Sequence, residues 1–425
     1  MKKSFLAFLI GTALVFSLFA GGNADKPRAK VAFWGHADVA MNASIRSIID
    51  RFHQSQSEIE VIPTFFPYDE FESKIMTSLL SGRSGADLYQ MWGGWAPDFI
   101  NSGTLTTVPI DLIQDILNDS YEPVTAALKG PDGRYYGVPI DFNNEFGGMY
   151  VNKKEFERQG IPYPTTWEEI IDVAKRTTVR RGNTFEMKGF DFPNWDSTTY
   201  LFLTMILSNG GQYWVNGRLN FSTPQAEQAM TTLVNWILVD QVTNTDGHTL
   251  PDELEPHQNF AQGRVMMTMR GPWSIGELEL DYNIKPGVDF DYIKVPFPGP
   301  IQAYPAETGF SFGVPKKSKV IDAAWSFVRY VMMPQNIMAY NIASANIPPR
   351  KSVAHDPSFV RQLPYMAPLL EILPYAKFIG PFNTDVLKEA VEDVFLSLCL
   401  QDGRYASVSA AMAALERRVN TDLKL

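Results

Sequence analysis

Between Lys30 and Met91 apolar strands alternate with amphipathic helices, and this alternation constrains the fold more than any other feature of the chain. Residues 30–34 read as a strand. Residues 44–54 follow as a helix, with Ile45, Ile48, Ile49 and Phe52 at helical spacing. Residues 59–62 form a second strand, which Pro63 is expected to end. A second helix spans 68–81, with Phe71, Ile75, Leu79 and Leu80 on one face, and a third strand spans 86–91. Strands joined through helices pair in parallel as βαβ units. Ligands of such open sheets bind at the carboxyl ends of the strands. Trp34, Trp92 and Trp95 stand at or just after those ends.

Further along, residues 265–269 read as a short buried strand that stops at Gly271-Pro272 and presents Trp273. Gly271 permits a backbone conformation other residues resist, and Pro272 cannot donate to a sheet ladder. Taken alone, Trp273 is either a platform in a cleft or a core tryptophan. Residues 137–144, 296–305 and 346–350 read as three crossings between lobes, which makes each lobe from discontinuous pieces. Two rigid lobes can then rotate about a few hinge residues. Thr165 or Thr166 is expected to cap a helix, Asn216-Gly217 to turn a hairpin, and Pro224 to sit in the first turn of a helix over 223–239. Residues 309–314 read as a strand, 323–332 as a helix, and 408–422 as the last helix.

Residues 1–24 carry a basic start, an apolar run from Phe5 to Phe19 and small residues up to Ala24, the pattern of a cleaved secretory signal peptide. Its removal leaves 35 basic residues, down from 37, against 47 acidic ones, a net charge of −12. That balance argues against nucleic acid and anionic membrane as partners. The only cysteine is Cys399, so no intramolecular disulfide is possible, and its apolar setting makes it a core residue. His36, His53, His248, His257 and His355 show no zinc-binding spacing, and neither a P-loop, a dinucleotide fingerprint nor a calcium loop is present; no metal or cofactor is expected. One catalytic pattern does match: Gly309-Phe-Ser-Phe-Gly313 fits G-x-S-x-G, with His355 downstream. A nucleophile elbow needs a helix directly after its serine. Pro315 disfavours one, and Phe310, Phe312 and Val314 alternate as in a strand.

Six segments, in order, resemble the periplasmic solute-binding proteins of ABC importers, in particular the sugar-binding group that includes maltose-binding protein. They are Met149-Tyr-Val-Asn-Lys153, Pro164-Thr-Thr-Trp-Glu-Glu169, Asn209-Gly-Gly211 with Phe221-Ser-Thr-Pro224, the Phe260 to Trp273 stretch, Ala323-x-x-Phe-Val-x-Tyr330, and Asn346-x-Pro-x-Arg350. The resemblance implies an α/β, two-lobe type II binding-protein fold, each lobe a mainly parallel sheet flanked by helices, joined by hinge crossings. It implies an N-terminal lobe of 25–140 with 304–347 and a C-terminal lobe of 141–303 with 348–425. It further implies a monomeric, non-enzymatic receptor that closes on a mono- or oligosaccharide and delivers it to an inner-membrane permease. With no cysteine after the leader to carry a lipid, the expected location is the periplasm. The alternatives are a receptor for a polyol phosphate or a peptide, and a secreted hydrolase.

Sugar chemistry suits these residues independently, because aromatic rings cover the apolar face of a pyranose and amides and carboxylates pair with its hydroxyls. The resemblance places Trp34, Trp92, Trp95 and Trp273 in the cleft, with Trp195 beside them. It also points to His36 and Asp38 after the first strand, to Asp141, Asn143, Asn144 and Glu145 at the first crossing, and to Glu307 and Gly309 near the second. Arg350 at the third crossing either binds ligand or pairs with an acid across the hinge.

Overall fold

The structure is a computed structural model that describes residues 28–81, 85–182, 184–249 and 254–425. The expected signal peptide over 1–24 lies outside the described residues. Two five-stranded sheets organise the chain. In the first, Ala29–His36 lies between Ile59–Phe66 and Leu88–Met91, parallel to both. Ser311–Gly313 and Val138–Pro139 complete the sheet with antiparallel pairings. The Ile59–Phe66 strand runs through Pro63 instead of ending there. It is an edge strand, where a missing N–H costs no ladder bond on the free side.

In the second sheet the order is Asp291–Lys294, Gly148–Val151, Val265–Met269, Thr184–Asp191 and Val179–Arg181. Only Val265–Met269 with Thr184–Asp191 is parallel, and the other neighbours run antiparallel. The expected mainly parallel sheets are therefore mixed sheets. Val179–Arg181 is joined to its neighbour by a tight reversal at Gly182, φ 62°, and such a connection dictates antiparallel pairing. Local expectations elsewhere hold. Thr166 and Glu169 form a capping box, and Asn216-Gly217 turns its hairpin with φ of 52° and 78°.

Each sheet has its own core. Val31, Phe33, Ile48, Leu88, Phe99, Phe312 and Phe327 belong to the first. Met149, Phe190, Leu203, Met267, Phe395 and Leu415 belong to the second. The chain passes between them at Asp141, with Ile140 in the first core and Phe142 in the second, and again between Ala306 and Phe310. The crossings are bonded to one another. Ile140 N–H donates to Phe310 O at 2.8 Å, Phe142 N–H donates to Ile347 O at 2.8 Å, and Glu307 pairs with Asn143 in a small third sheet.

Candidate functional site

The strand ends and crossings enclose a cavity of about 230 Å³ between the two sheets. His36 and Asp38 come from the first strand end, and Asp38 also caps the Val39–Ser55 helix by accepting from Met41 N–H at 2.7 Å. Trp92 follows Leu88–Met91. The Gly93-Gly94 pair behind it is tightly packed: a Cβ on Gly93 would lie 2.0 Å from the backbone Thr308 O, and one on Gly94 would lie 2.1 Å from Thr384 Oγ1, so a side chain at either forces its neighbours to shift. Asp141, Asn143 and Glu145 enter from the first crossing, Phe310 from the second and Asn346 from the third. Trp195 and Asp196 open the Trp195–Ser208 helix, Arg270 and Trp273 follow Val265–Met269, and Tyr68, Met41 and Lys388 complete the lining.

Aromatic rings form much of the wall. His36 stacks on Phe310 at 5.2 Å, and Trp92 meets the same ring edge-on. Trp273 Nε1 donates to Glu145 Oε1 at 2.7 Å, Gly271 N–H donates to Glu145 Oε2 at 3.0 Å, and the Arg270 guanidinium lies 4.8 Å above the Trp273 ring. Gly271 is needed for this close approach and not for a left-handed backbone, because its Cβ would lie 2.6 Å from the indole while its φ is not positive.

Beneath the rings is a buried charge cluster. Lys388 Nζ lies 3.1 Å from Asp196 Oδ1, 3.3 Å from Glu307 Oε1 and 3.5 Å from Asp385 Oδ1, and Arg270 donates to Asp196 Oδ2 at 3.0 Å. Burial alone would raise the Asp196 carboxyl, but the Lys388 and Arg270 charges outweigh it and hold it below its ordinary value. Burial also opposes the charge on Lys388, yet Glu307, Asp196 and Asp385 keep the ammonium firmly protonated. Glu307 is raised by burial, with Lys388 offsetting part of the effect. Burial and the Asp196 charge push Glu145 up to about 7. Both cations thus already face carboxylates within the protein.

Asp141 lacks such a partner. Its Oδ1 accepts from Phe310 N–H at 2.8 Å, its Oδ2 has no partner among the described residues, and burial pushes the carboxyl up to about 8. An acid with an ordinary value near 3.9 when unfolded therefore takes up a proton on folding at neutral pH. Its stabilising effect is fully present below about pH 4 and is lost progressively up to about pH 8, with a slope of about 1.4 kcal/mol per pH unit. Asp141→Asn should flatten the decline and leave the variant more stable than the parent at pH 8. Urea unfolding at pH 5 and pH 8 measures the difference.

Residues 38–338 match the model of the family of bacterial extracellular solute-binding proteins. The chain belongs to that family. Among curated relatives it is 22% identical over 269 residues to an arabinooligosaccharide-binding protein of Halalkalibacterium halodurans, covering 62% of this chain and 55% of that one. The chain spans about half the length of the first curated relatives it matches. A solved substrate-binding protein of Listeria monocytogenes, in complex with cycloalternan, superposes with TM-score 0.78 at 18% identity, covering 94% of this chain and all of that one. UgpB of Mycobacterium tuberculosis, in complex with glycerophosphocholine, superposes with TM-score 0.73 at 20% identity over 93% and 98%. These likenesses establish the two-lobe fold.

Of the residues singled out in the sequence of this solute-binding protein, His36, Asp38, Trp92, Asp141, Trp195 and Trp273 line the cavity, as do Asn143 and Glu145. Trp34, Trp95, Asn144, Glu307, Gly309 and Arg350 do not. Trp34 lies two residues before the strand end, about 7 Å short of His36. Its ring packs against Phe66 and Tyr89 beside a separate surface groove. Trp95 is buried and donates to Asp385 Oδ2 at 2.7 Å. Asn144 is buried in the first crossing, and Glu307 lies under the cavity, bound to Lys388. Gly309 lets the backbone approach Asp141, since a Cβ there would lie 1.8 Å from Oδ1. Arg350 pairs with Asp115 at 2.7 Å and Asp119 at 3.0 Å, the structural alternative weighed for it. Ser311 is buried in its strand and bonds Gly309 O, while His355 bonds Tyr121, so these two hydrolase candidates do not pair.

The sequence reading missed Met41, Tyr68, Asp196, Arg270, Phe310, Asn346 and Lys388. Lys388 left the clearest trace: it stands three residues before Val391 and four after Thr384, on the apolar stripe of the Thr384–Leu400 helix. A lysine on such a stripe needs a buried acid.

Proposed function

We propose that this protein is the periplasmic receptor of an ABC importer for a neutral carbohydrate. The observation that carries the reading is the combination of aromatic walls with cations that are already paired. Trp92, Trp195 and Trp273 offer flat apolar area for sugar C–H faces. Asp38, Asp141, Asn143 and His36 offer acceptors and donors for hydroxyls. A phosphate group would seek free arginine or lysine. Here Arg270 and Lys388 face Asp196, Glu307 and Asp385, so an anionic ligand meets cations whose charge is already opposed. Arg270 Nε and Trp92 Nε1, unpartnered among the described residues, are donors that a hydroxyl can equally satisfy. The names of relatives that bind oligosaccharides support the same reading.

In this reading residues 1–24 direct export, the chain acts as a monomer, and it catalyses no reaction. Sugar enters an open form, contacts both lobes and favours the closed form because it binds that form better. The closed surface then presents the ligand to a membrane permease. A thermal-shift screen with neutral mono- and oligosaccharides, sugar phosphates, glycerophosphodiesters and short peptides tests the proposal. A neutral saccharide at one hundred times its Kd should add about 2.7 kcal/mol to stability. Stabilisation by phosphorylated compounds or peptides alone would overturn it.

A further inference from the structure

The two halves of the molecule touch on two sides of the cavity. Tyr68, the first residue of the Tyr68–Ser81 helix, packs with the first sheet. Its hydroxyl donates to Asp385 Oδ2 at 3.0 Å, and its ring meets Trp195 edge-on at 6.5 Å. Trp195 and Asp385 belong to helices of the second core. Elsewhere the Val39–Ser55 and Ser274–Leu280 helices meet so closely that a Cβ on Gly276 would contact Ala40 Cβ at 3.4 Å. The space left between them is about 230 Å³. Pockets for drug-sized ligands hold about 300–1,000 Å³.

On the reading of this cavity as a sugar site, we infer that it accepts one sugar ring and at most two, and that Tyr68 sets this limit. A longer saccharide must leave the cavity between the halves. Where Tyr68 stands, it would have to displace the ring from Trp195 and take a donor from Asp385, a buried carboxylate. That carboxylate would keep the Trp95 Nε1 bond and the Lys388 ion pair but lose a hydrogen bond that water cannot easily replace. The helix contact at Ala40 and Gly276 limits a second exit. The small volume and this wall act together, so extra rings add desolvation without adding contacts.

The experiment is calorimetric titration with length series: glucose to maltotetraose, xylose to xylotriose, mannose to mannotriose, and L-arabinose to its trisaccharide. The parent protein should bind a mono- or disaccharide at least tenfold more tightly than the trisaccharide of the same series. Tyr68→Ala should bind that trisaccharide at least tenfold more tightly than the parent does. Tyr68→Phe, which keeps the ring and removes only the hydroxyl, should fall between the parent and Tyr68→Ala in its length preference. Equal or tighter binding of trisaccharides by the parent overturns the length limit while leaving the sugar reading intact. An unchanged preference in a folded Tyr68→Ala overturns the role of Tyr68; if that variant does not fold, an unchanged preference in Tyr68→Phe does so. Failure of every saccharide, with binding of glycerophosphocholine or a peptide, overturns the sugar reading and the limit together.

Discussion

Replacing Lys388 by methionine should lower stability by about 3–5 kcal/mol at pH 7, the usual result of removing one partner from a buried ion pair. The side chain is 2% exposed and is the shared cation of Asp196, Glu307 and Asp385. Methionine fills much of the volume but leaves those carboxylates with fewer opposing charges, only Arg270 remaining beside Asp196. The cost should shrink as pH falls, because the carboxylates freed of Lys388 can then accept protons, Glu307 first since burial already raises it. Urea unfolding at pH 5 and pH 7 measures both effects. The triple variant Lys388→Met, Asp196→Asn, Glu307→Gln should recover much of the loss, since a neutral cluster leaves fewer unpaired charges. A cost below 1 kcal/mol for the single variant would mean that water enters the cluster.

Trp273→Ala should weaken binding of the sugar identified by screening by about 2–4 kcal/mol, the range of a tryptophan hot spot. That is roughly 30- to 1,000-fold in Kd. The residue does two things at the cavity wall. Its ring supplies flat area, and its Nε1 holds Glu145, which also accepts from Gly271 N–H, while the ring supports Arg270. Trp273→Phe should fall between parent and alanine variant, retaining a face and losing the Glu145 bond. Because Trp273 is only half-buried, the melting temperature should move far less than the affinity. Comparing calorimetric Kd with thermal unfolding of the same samples separates the two effects.

Much of this arrangement was legible because the fold is built from repeated local rules. Apolar spacing located the Tyr68–Ser81 and Val408–Asp422 helices, and turn chemistry located the hairpin at Asn216-Gly217. The strand-end rule pointed to Trp92 and the resemblance to His36, and both line the cavity. The rule fails for Trp34 because two residues of strand decide whether a side chain reaches the cavity or lies beside the Tyr68–Ser81 helix. It fails for Trp95 because the tight Trp92-Gly-Gly-Trp95 turn sends the second ring into the core. Tyr68, Asp196 and Lys388 lie far apart in the chain, and only the docking of three helices at the crossings brings them together. Pairing direction in the second sheet likewise depends on which connections fold back, as at Gly182, and apolar patterning does not report it.

A cavity whose cations already face carboxylates should prefer a neutral carbohydrate to a charged one. Calorimetric titration of the parent protein at pH 7 with the best neutral saccharide and with its phosphate monoester tests this most directly. The neutral sugar should bind at least one hundredfold more tightly, because the ester would bring a negative charge to Arg270 and Lys388, whose charges Asp196, Glu307 and Asp385 already oppose. Tighter binding of the phosphate ester would contradict it.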